Sequence, residues 1–244
     1  MGGNVNLLPY SFRYNSLRSR IELVRDILGE SWVEWAEPST TLKENFLGGS
    51  SIAGTNLISE HILRTAFGGG GTVTSLAQRG GGLRLTTGNI ADNLTSLNIL
   101  TFGGGSLAAL DPQDDLFFEA KVSLPNAGDL LQSDCFLGFY KDGNNYLGLN
   151  YISAGVANKW QAFSVVGGIS YNTELGDTVI ADQNYNLKII FSSEEAHLIL
   201  DETDIYSVST VTGGLHELLI IISTLDNNAK NADLNFIKLL TNRV

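Results

Sequence analysis

Apolar and polar residues alternate along most of the chain after about residue 45, as they do in strands that bury one face. In LFFEAKVSL, Phe118, Ala120, Val122 and Leu124 share one face and polar residues occupy the other. LLIIIST is apolar on both faces, which predicts a central strand of a packed sheet. Further strands are predicted in CFLGFYKDGNNYLGLNYI, where an Asp-Gly turn joins two of them, and in KWQAFSVV, YNLKIIFSS, AHLIL and ADLNFIKLL. Short strands separated by turns indicate an all-β, antiparallel sandwich.

The first 45 residues follow a different pattern. In SLRSRIELVRDILG, Leu17, Ile21, Val24 and Leu28 recur at helical spacing, which predicts a short amphipathic α-helix. The connector SWVEWAEPSTT follows, and Pro38 stops regular structure within it. The sequence therefore predicts two parts, an N-terminal arm over residues 1–45 and a β-sandwich domain over residues 46–244.

The arm concentrates positive charge in an acidic protein. Four of the 15 basic residues, Arg13, Arg18, Arg20 and Arg25, fall within 13 positions of the arm. Two interpretations stay open: the helix lies on its own domain with a solvated polar face, or it anchors the protein to an acidic partner surface.

Three glycine clusters, at FGGGG, RGGGL and FGGGS, raise the question of a phosphate-binding loop. Such a loop requires a helix after its glycines, whereas TVTSL and LRLTTG follow here and are β-type segments. The spacing G-x-G-x-x-G and the motif G-K-[ST] are both missing from the sequence. We interpret the glycines as corners between strands and as places where two backbones approach closely.

Composition excludes several classes of function. A formal charge of −11 argues against general nucleic-acid binding and against attraction to an acidic membrane surface. Cys135 is the single cysteine, so no intrachain disulfide forms, and we expect it to pack as a small apolar residue beside Asp134. The N-terminus shows no signal-peptide pattern, which predicts synthesis in a cytoplasm.

A series of segments resembles a known family. The chain is similar, over about residues 44–241, to the concanavalin A-like (laminin-G-like) jelly-roll domain of structural proteins from tailed bacteriophages. The resemblance implies a jelly-roll β-sandwich of two curved antiparallel sheets. The chain departs from this family in its last long hairpin, where it has the sequence DETD at residues 201–204 and such domains often have an Asp-Gly turn. The segments, in order, are ENFLGGS, HILRTAFGGGG, GGLRLTTG, LFFEAKVSLP, CFLGFYKDGNNYLGLNY, KWQAFSVVGG, YNLKIIFS, AHLILDETDIYSVS and ADLNFIKLL.

The resemblance implies a structural protein of the virion, made in the host cytoplasm. The first expectation is a capsid decoration (cement) protein that binds the capsid exterior, with the major capsid protein or other virion proteins as partners. We expect a homo-oligomer, and the resemblance implies a trimer as one arrangement. Arg13, Leu17, Arg18, Arg20 and Arg25 of the arm are the expected partner-binding residues.

The alternative expectation is a tail-fibre or baseplate adhesin that binds host surface glycans. Trp160, Tyr146 and Tyr151 are the candidate glycan-binding residues, and Tyr140 and Tyr171 are further aromatic platforms. The competing interpretation of each ring is packing within the sandwich, since aromatic residues favour strands.

Catalysis and metal binding receive little support from the sequence. A retaining glycosidase places two carboxylates about 5–5.5 Å apart. Glu34 with Glu37, Glu194 with Glu195, and the DETD turn do not give the row of carboxylates that one strand face would offer. His61, His197 and His216 are scattered. Oxygen-bearing residues gather at Asp226-Asn227-Asn228, Asn231 and Asp233, for which we prefer a polar turn to a calcium site. We therefore expect no enzyme activity, no cofactor and no metal.

Overall fold

The computed structural model describes residues 11–15, 20–27, 30–33, 40–44, 63–67, 70–76, 81–99, 116–153, 158–192, 195–202, 204–208, 214 and 216–241. Up to residue 67 the description concerns the backbone. The strands are β1 (Ser11–Asn15), β2 (Arg20–Ile27), β3 (Glu30–Val33), β4 (Thr40–Glu44), β5 (Leu63–Phe67), β6 (Thr72–Ser75), β7 (Leu83–Thr86), β8 (Leu94–Ile99), β9 (Leu116–Ser123), β10 (Ser133–Asp142), β11 (Asn145–Ile152), β12 (Trp160–Val166), β13 (Ile169–Leu175), β14 (Tyr185–Ser192), β15 (Glu195–Leu200), β16 (Asp204–Val208), β17 (Glu217–Thr224) and β18 (Asn231–Thr241). A short 3₁₀ helix covers Ala127–Leu130.

Two antiparallel sheets form the sandwich that the sequence predicts. The seven-stranded sheet has the order β13-β12-β11-β10-β17-β8-β5, and the other sheet has the order β16-β15-β14-β9-β18-β7-β6, with β4 pairing to β18 as its eighth strand. The alternation predicted for β9 is confirmed, because Phe118, Ala120, Val122 and Leu124 are all buried. The apolar strand β17 lies inside the seven-stranded sheet between β10 and β8, as predicted for a central strand.

The core lies between the two sheets and is built from their inward-facing alternate residues. Phe139 of β10 contacts Phe118 and Phe191 of the opposite sheet, with ring centroids 6.1 and 4.8 Å apart in edge-to-face geometry. Burial of these large apolar side chains is the main favourable contribution to folding.

The predicted N-terminal α-helix is wrong. Residues 20–27 of the predicted helix form the strand β2, which pairs with β1 and β3 in a separate three-stranded sheet. Leu17 and Arg18, on the N-terminal part of the predicted helix, lie outside the described residues. No helix in the described part of the chain is long and apolar enough to cross a membrane.

The N-terminal part reaches the sandwich at two places. β4 lies before the predicted domain boundary at residue 45, yet it is hydrogen-bonded to β18. β1 comes within 8 Å of β14 between Cα atoms. The boundary between the two parts stays a prediction, but the last strand before it belongs to the larger sheet.

The glycine clusters occupy strand corners where they are described. Gly70 has φ +93° at the turn before β6, in the region that favours glycine. At the next residue, Gly71, a Cβ atom would collide with the Thr95 side chain and with the backbone carbonyl of Thr86. Strands follow both described clusters, so the interpretation as corners and close approaches is confirmed there.

Candidate functional site

The candidate site is the outer face of the seven-stranded sheet, the face that points away from the core. Along β10, Cys135, Leu137 and Phe139 point inward and are buried. The alternate residues Phe136 and Tyr140 point outward and keep access to solvent. The strand register therefore decides which side chains from neighbouring strands meet on this outer face.

Two glycines form the floor of this face. Gly138 of β10 and Gly148 of β11 stand directly opposite each other. A Cβ atom on Gly138 would lie 2.6 Å from the Phe136 ring, and one on Gly148 would lie 2.7 Å from the same ring. The end of the Phe136 ring thus occupies the space above both glycines, which a Cβ atom at either position would fill.

Four aromatic side chains form a continuous patch beside this floor, and we call Phe136, Tyr140, Tyr146 and Phe163 the aromatic cluster. Ring centroids of successive neighbours are 5.5 to 6.3 Å apart. The cluster is built across three strands, because Tyr140 pairs with Tyr146 and Gly148 pairs with Phe163. Its rings are half-buried, apart from Tyr140, which is exposed.

Polar side chains run beside the aromatic cluster. Asn150 stands opposite Phe136 on one side and Gln161 on the other, and Gln161 stands opposite Glu174. We call Asn150, Gln161 and Glu174 the polar row. Glu174 also forms an ion pair of 3.5 Å with Lys159.

Several oxygen atoms on this face have no hydrogen-bond donor. They are Oδ1 of Asn150, Oε1 of Gln161, Oδ1 of Asp134 and Oδ1 of Asn98. Buried polar atoms are normally paired, and an unpaired one carries a desolvation cost of about 1–3 kcal/mol. These four atoms have almost no accessible surface, so they carry this cost within the sheet face itself and are not contact points for a ligand in this arrangement.

Asp134 has the least favourable environment of these residues. Its burial raises the pKa of the carboxyl above the ordinary value of 3.8. It stands opposite Ile152 on one neighbouring strand and Ser223 on the other. The carboxylate is therefore held partly desolvated at neutral pH next to the polar row.

The structure corrects two of the three predicted glycan-binding residues. Trp160 and Tyr151 are fully buried and pack against each other, with ring centroids 6.0 Å apart. The Tyr151 hydroxyl donates to the Leu130 carbonyl at 2.7 Å, and burial raises its pKa to about 12. Neither ring reaches the outer face, because inward positions of β11 and β12 carry them. Tyr146 is the one of the three that belongs to the aromatic cluster.

The predicted partner-binding residues are only partly placed. Arg13 lies on β1 opposite Glu22, and Arg20 and Arg25 lie on β2. Leu17 and Arg18 fall outside the described residues. The expected role of these residues in partner binding stays a prediction.

The polar turn that we weighed against a calcium site contains a buried lysine. The Lys230 ammonium donates to Asp226 Oδ2 at 3.2 Å and to the Gly128 carbonyl at 3.1 Å. Asp233 is engaged by Arg84 in two hydrogen bonds of 2.6 and 2.7 Å. Hydrogen bonds, first from Asn228, hold the pKa of Asp226 below its usual range. The two carboxylates of this turn, Asp226 and Asp233, thus each accept hydrogen bonds from a cationic side chain of the protein itself.

Cys135, the histidines and possible metal ligands are the other candidates for chemistry. Cys135 is buried, as predicted for a small apolar residue, and burial followed by the charge of Asp134 raises the pKa of its thiol to about 12. His197 contacts Ser207 and Glu195 at 2.8 and 3.0 Å on the other sheet. Within the described residues, no three His, Cys, Asp or Glu side chains gather as a metal site would require.

The aromatic cluster combines two residues that the sequence pointed to, Tyr140 and Tyr146, with two that it did not. Tyr140 and Tyr146 flank the predicted Asp-Gly turn, so the hairpin register alone pairs them. Phe136, Phe163 and the polar row depend on the pairing of β11 with β12, across a connection whose length does not fix a register. No signal in the sequence would have placed them together.

This architecture is a concanavalin A-like jelly roll. No protein-family model matches the sequence, and no curated protein matches it significantly. Solved structures share the fold at low identity. A protein of unknown function from Shewanella oneidensis superimposes with a TM-score of 0.59 at 12% identity, over 87% of this chain and 91% of that one. The β-glucanase of Bacillus licheniformis gives 0.58 at 10%, over 85% and 100%. The Emp47p carbohydrate recognition domain gives 0.54 at 12%, over 79% and 95%.

Proposed function

We propose that this protein binds carbohydrate through the aromatic cluster and the polar row, and that it does so without cleaving its ligand. One observation carries the proposal: half-buried aromatic rings and the accessible polar side chains of the polar row lie side by side on one outward sheet face. A sugar ring offers an apolar face that packs on aromatic rings and hydroxyl groups that donate to acceptors. The same surface therefore offers both kinds of contact at once.

The similar structures support this ligand class without deciding it. Emp47p's matched domain is a carbohydrate recognition domain, and the Bacillus licheniformis protein is a glucanase. Binding proteins and hydrolases thus share the fold, so the choice between them must rest on the residues of this chain.

The register of the outer face argues for binding rather than hydrolysis. Glycosidases hold two carboxyl groups about 5–9.5 Å apart. Glu217 stands opposite Tyr140, six residues along β10 from Asp134, which corresponds to about 20 Å. Glu174 lies three strands from Asp134, or about 14 Å. These three carboxylates are too far apart for any two of them to flank one glycosidic bond.

Tyr146→Ala is expected to weaken glycan binding about tenfold, because it removes the ring in the middle of the aromatic cluster. A screen of neutral and acidic oligosaccharides identifies the ligand, and calorimetry then compares the variant with the wild-type protein. Tyr171→Ala is the matched control, since that exposed tyrosine lies outside the cluster. Equal affinity of Tyr146→Ala and wild type, or no binding in the screen, would reject the proposal.

Asp134→Asn separates a binding role from a structural one in the same experiment. It removes a desolvated charge, so we expect Tm at pH 7 to rise on the order of 1–2 °C while affinity falls. Because the pKa of Asp134 is raised in the folded state, the charge of Asp134 destabilises the protein only as the pH rises above 3.8. The gain in Tm of Asp134→Asn over the wild-type protein should therefore vanish below that pH. A loss of both stability and binding would mark Asp134 as purely structural.

A second proposal keeps the expectation of a phage decoration protein attached through its N-terminal part. The observation that favours it is the small sheet β1-β2-β3, which forms no ladder with the described strands of the sandwich. A segment that is hydrogen-bonded within itself can be removed without taking a strand from either large sheet.

Removal of residues 1–33 is expected to leave a folded sandwich that no longer attaches to capsid shells. Circular dichroism checks the fold, and co-sedimentation with empty shells of the cognate major capsid protein measures attachment. Co-sedimentation of the truncated protein at wild-type occupancy contradicts this second proposal and leaves the glycan proposal untouched.

A further inference from the structure

The strand β13 ends the seven-stranded sheet and is open on one side. It pairs with β12 along its whole length, and no described strand pairs with its other side. Six of its seven residues are exposed. Its outer edge therefore presents backbone N–H and C=O groups to solvent, where another strand can add to the sheet.

Apart from the single charged residue Glu174, this edge lacks the features with which proteins usually block strand addition. The sequence ISYNTEL contains no lysine and no proline, and its register with β12 runs without a bulge. Ile169 is 60% exposed and Tyr171 is 49% exposed. On β16, the neighbouring edge strand of the other sheet, Ile205 is also exposed. Apolar surface thus accompanies the open backbone on this side of the sandwich.

We propose that a second copy of this chain pairs with β13 through its own β13, antiparallel and about a two-fold axis at Asn172. In this register all seven residues of one strand face residues of the other. Ile169 meets Leu175, Ser170 meets Glu174, Tyr171 meets Thr173, and Asn172 meets itself. A two-fold interface requires such self-complementarity, because both copies contribute the same surface.

Charge supports this partner and this register. Glu174 is the single charged residue of β13, and its ion pair with Lys159 offsets its charge. Full overlap places Glu174 opposite the neutral Ser170. An axis shifted by two residues would place Glu174 opposite itself and would lose two pairs at each end of the ladder. The full-overlap register is therefore the favoured one.

The dimer adds to the proposed function without depending on it. The two seven-stranded sheets become one sheet of fourteen strands, and their outer faces become continuous across the axis. The polar row ends at Glu174, on the strand that pairs. Two binding faces are then presented together, which raises avidity for a polymeric ligand.

Sedimentation equilibrium under reducing conditions tests the association, and an engineered cysteine tests the register. We expect the wild-type protein to dimerise with a micromolar Kd and Asn172→Lys to weaken the dimer at least tenfold. Asn144→Lys, with the same charge change in the β10–β11 turn, should dimerise normally. Under mild oxidation Asn172→Cys should crosslink between chains, because the two introduced thiols meet at the axis. Cys135 is buried and does not interfere.

Ser170→Cys is the matched control, since residue 170 faces residue 174 and lies about 13 Å from its own copy. A wild-type protein that stays monomeric at 100 µM overturns the proposal. So does a dimer in which Asn172→Cys fails to crosslink or Ser170→Cys crosslinks equally well. Each of these results leaves glycan binding by the monomer intact, so the two proposals fail separately.

Discussion

Gly148→Ala is expected to lower the free energy of unfolding by about 3 kcal/mol or more. The added Cβ would lie 2.7 Å from the Phe136 ring and 2.8 Å from the Cα of Gly138, and it would also collide with the Leu137 carbonyl. A side chain can move away, but two strands joined by hydrogen bonds cannot separate at one residue without losing the ladder. Tm should fall by roughly 6–12 °C for a domain of this size.

Gly143→Ala is the control for this substitution. Gly143 lies in the turn between the same two strands, and a Cβ there would have no heavy atom within 4 Å. We expect its free energy of unfolding to stay within about 0.5 kcal/mol of wild type. Urea denaturation measures both variants. Equal stabilities would show that β10 and β11 can accommodate a methyl group, contrary to the close approach described here.

Lys230→Met is the second substitution with a large expected effect. The lysine is 4% exposed, and it is the donor to both Asp226 and the Gly128 carbonyl. Methionine fills the same volume but leaves the Gly128 carbonyl without this donor and removes one of the two donors to Asp226 Oδ2, at a cost of about 2 kcal/mol. Thermal unfolding at pH 7 measures the loss.

The same change at Lys121 provides the control, because this half-buried lysine lies on the outer face of the other sheet. Lys121→Met should alter stability by less than about 0.5 kcal/mol. If Lys230→Met is as stable as Lys121→Met, the hydrogen bonds to Lys230 contribute nothing that packing does not replace.

The sandwich could be predicted because its strands carry their signal locally. Alternation in β9 and the turn chemistry around Asp142 each specify a strand or a hairpin within a few residues. The Asp142 carboxylate accepts from the Asn144 N–H at 2.8 Å, as expected of an Asp-Gly turn. Such features depend little on the rest of the chain.

The N-terminal helix was predicted wrongly because its sequence fits two periods. Leu17, Ile21, Val24 and Leu28 recur at helical spacing, but Ile21 and Leu23 also alternate as a strand requires. Residues 20–27 include the β-branched Ile21, Val24 and Ile27, which favour strands. Pairing with β1 and β3 decides the outcome, and pairing between strands is not visible in a single segment.

The candidate site was harder to predict than the fold for a related reason. Trp160 and Tyr146 are both aromatic residues on predicted strands, and only the face of each strand distinguishes a core residue from a surface one. A shift by one residue exchanges the two faces. The sequence therefore predicts that aromatic residues line the sheets but does not show which of them meet a ligand.

The buried Lys230 has a consequence for where this protein can work. A positive charge that is covalently part of the chain cannot be washed out, chelated or exchanged for another ion. Because a buried pair is screened by salt much less than an exposed one, the turn between β17 and β18 depends little on the ions around it.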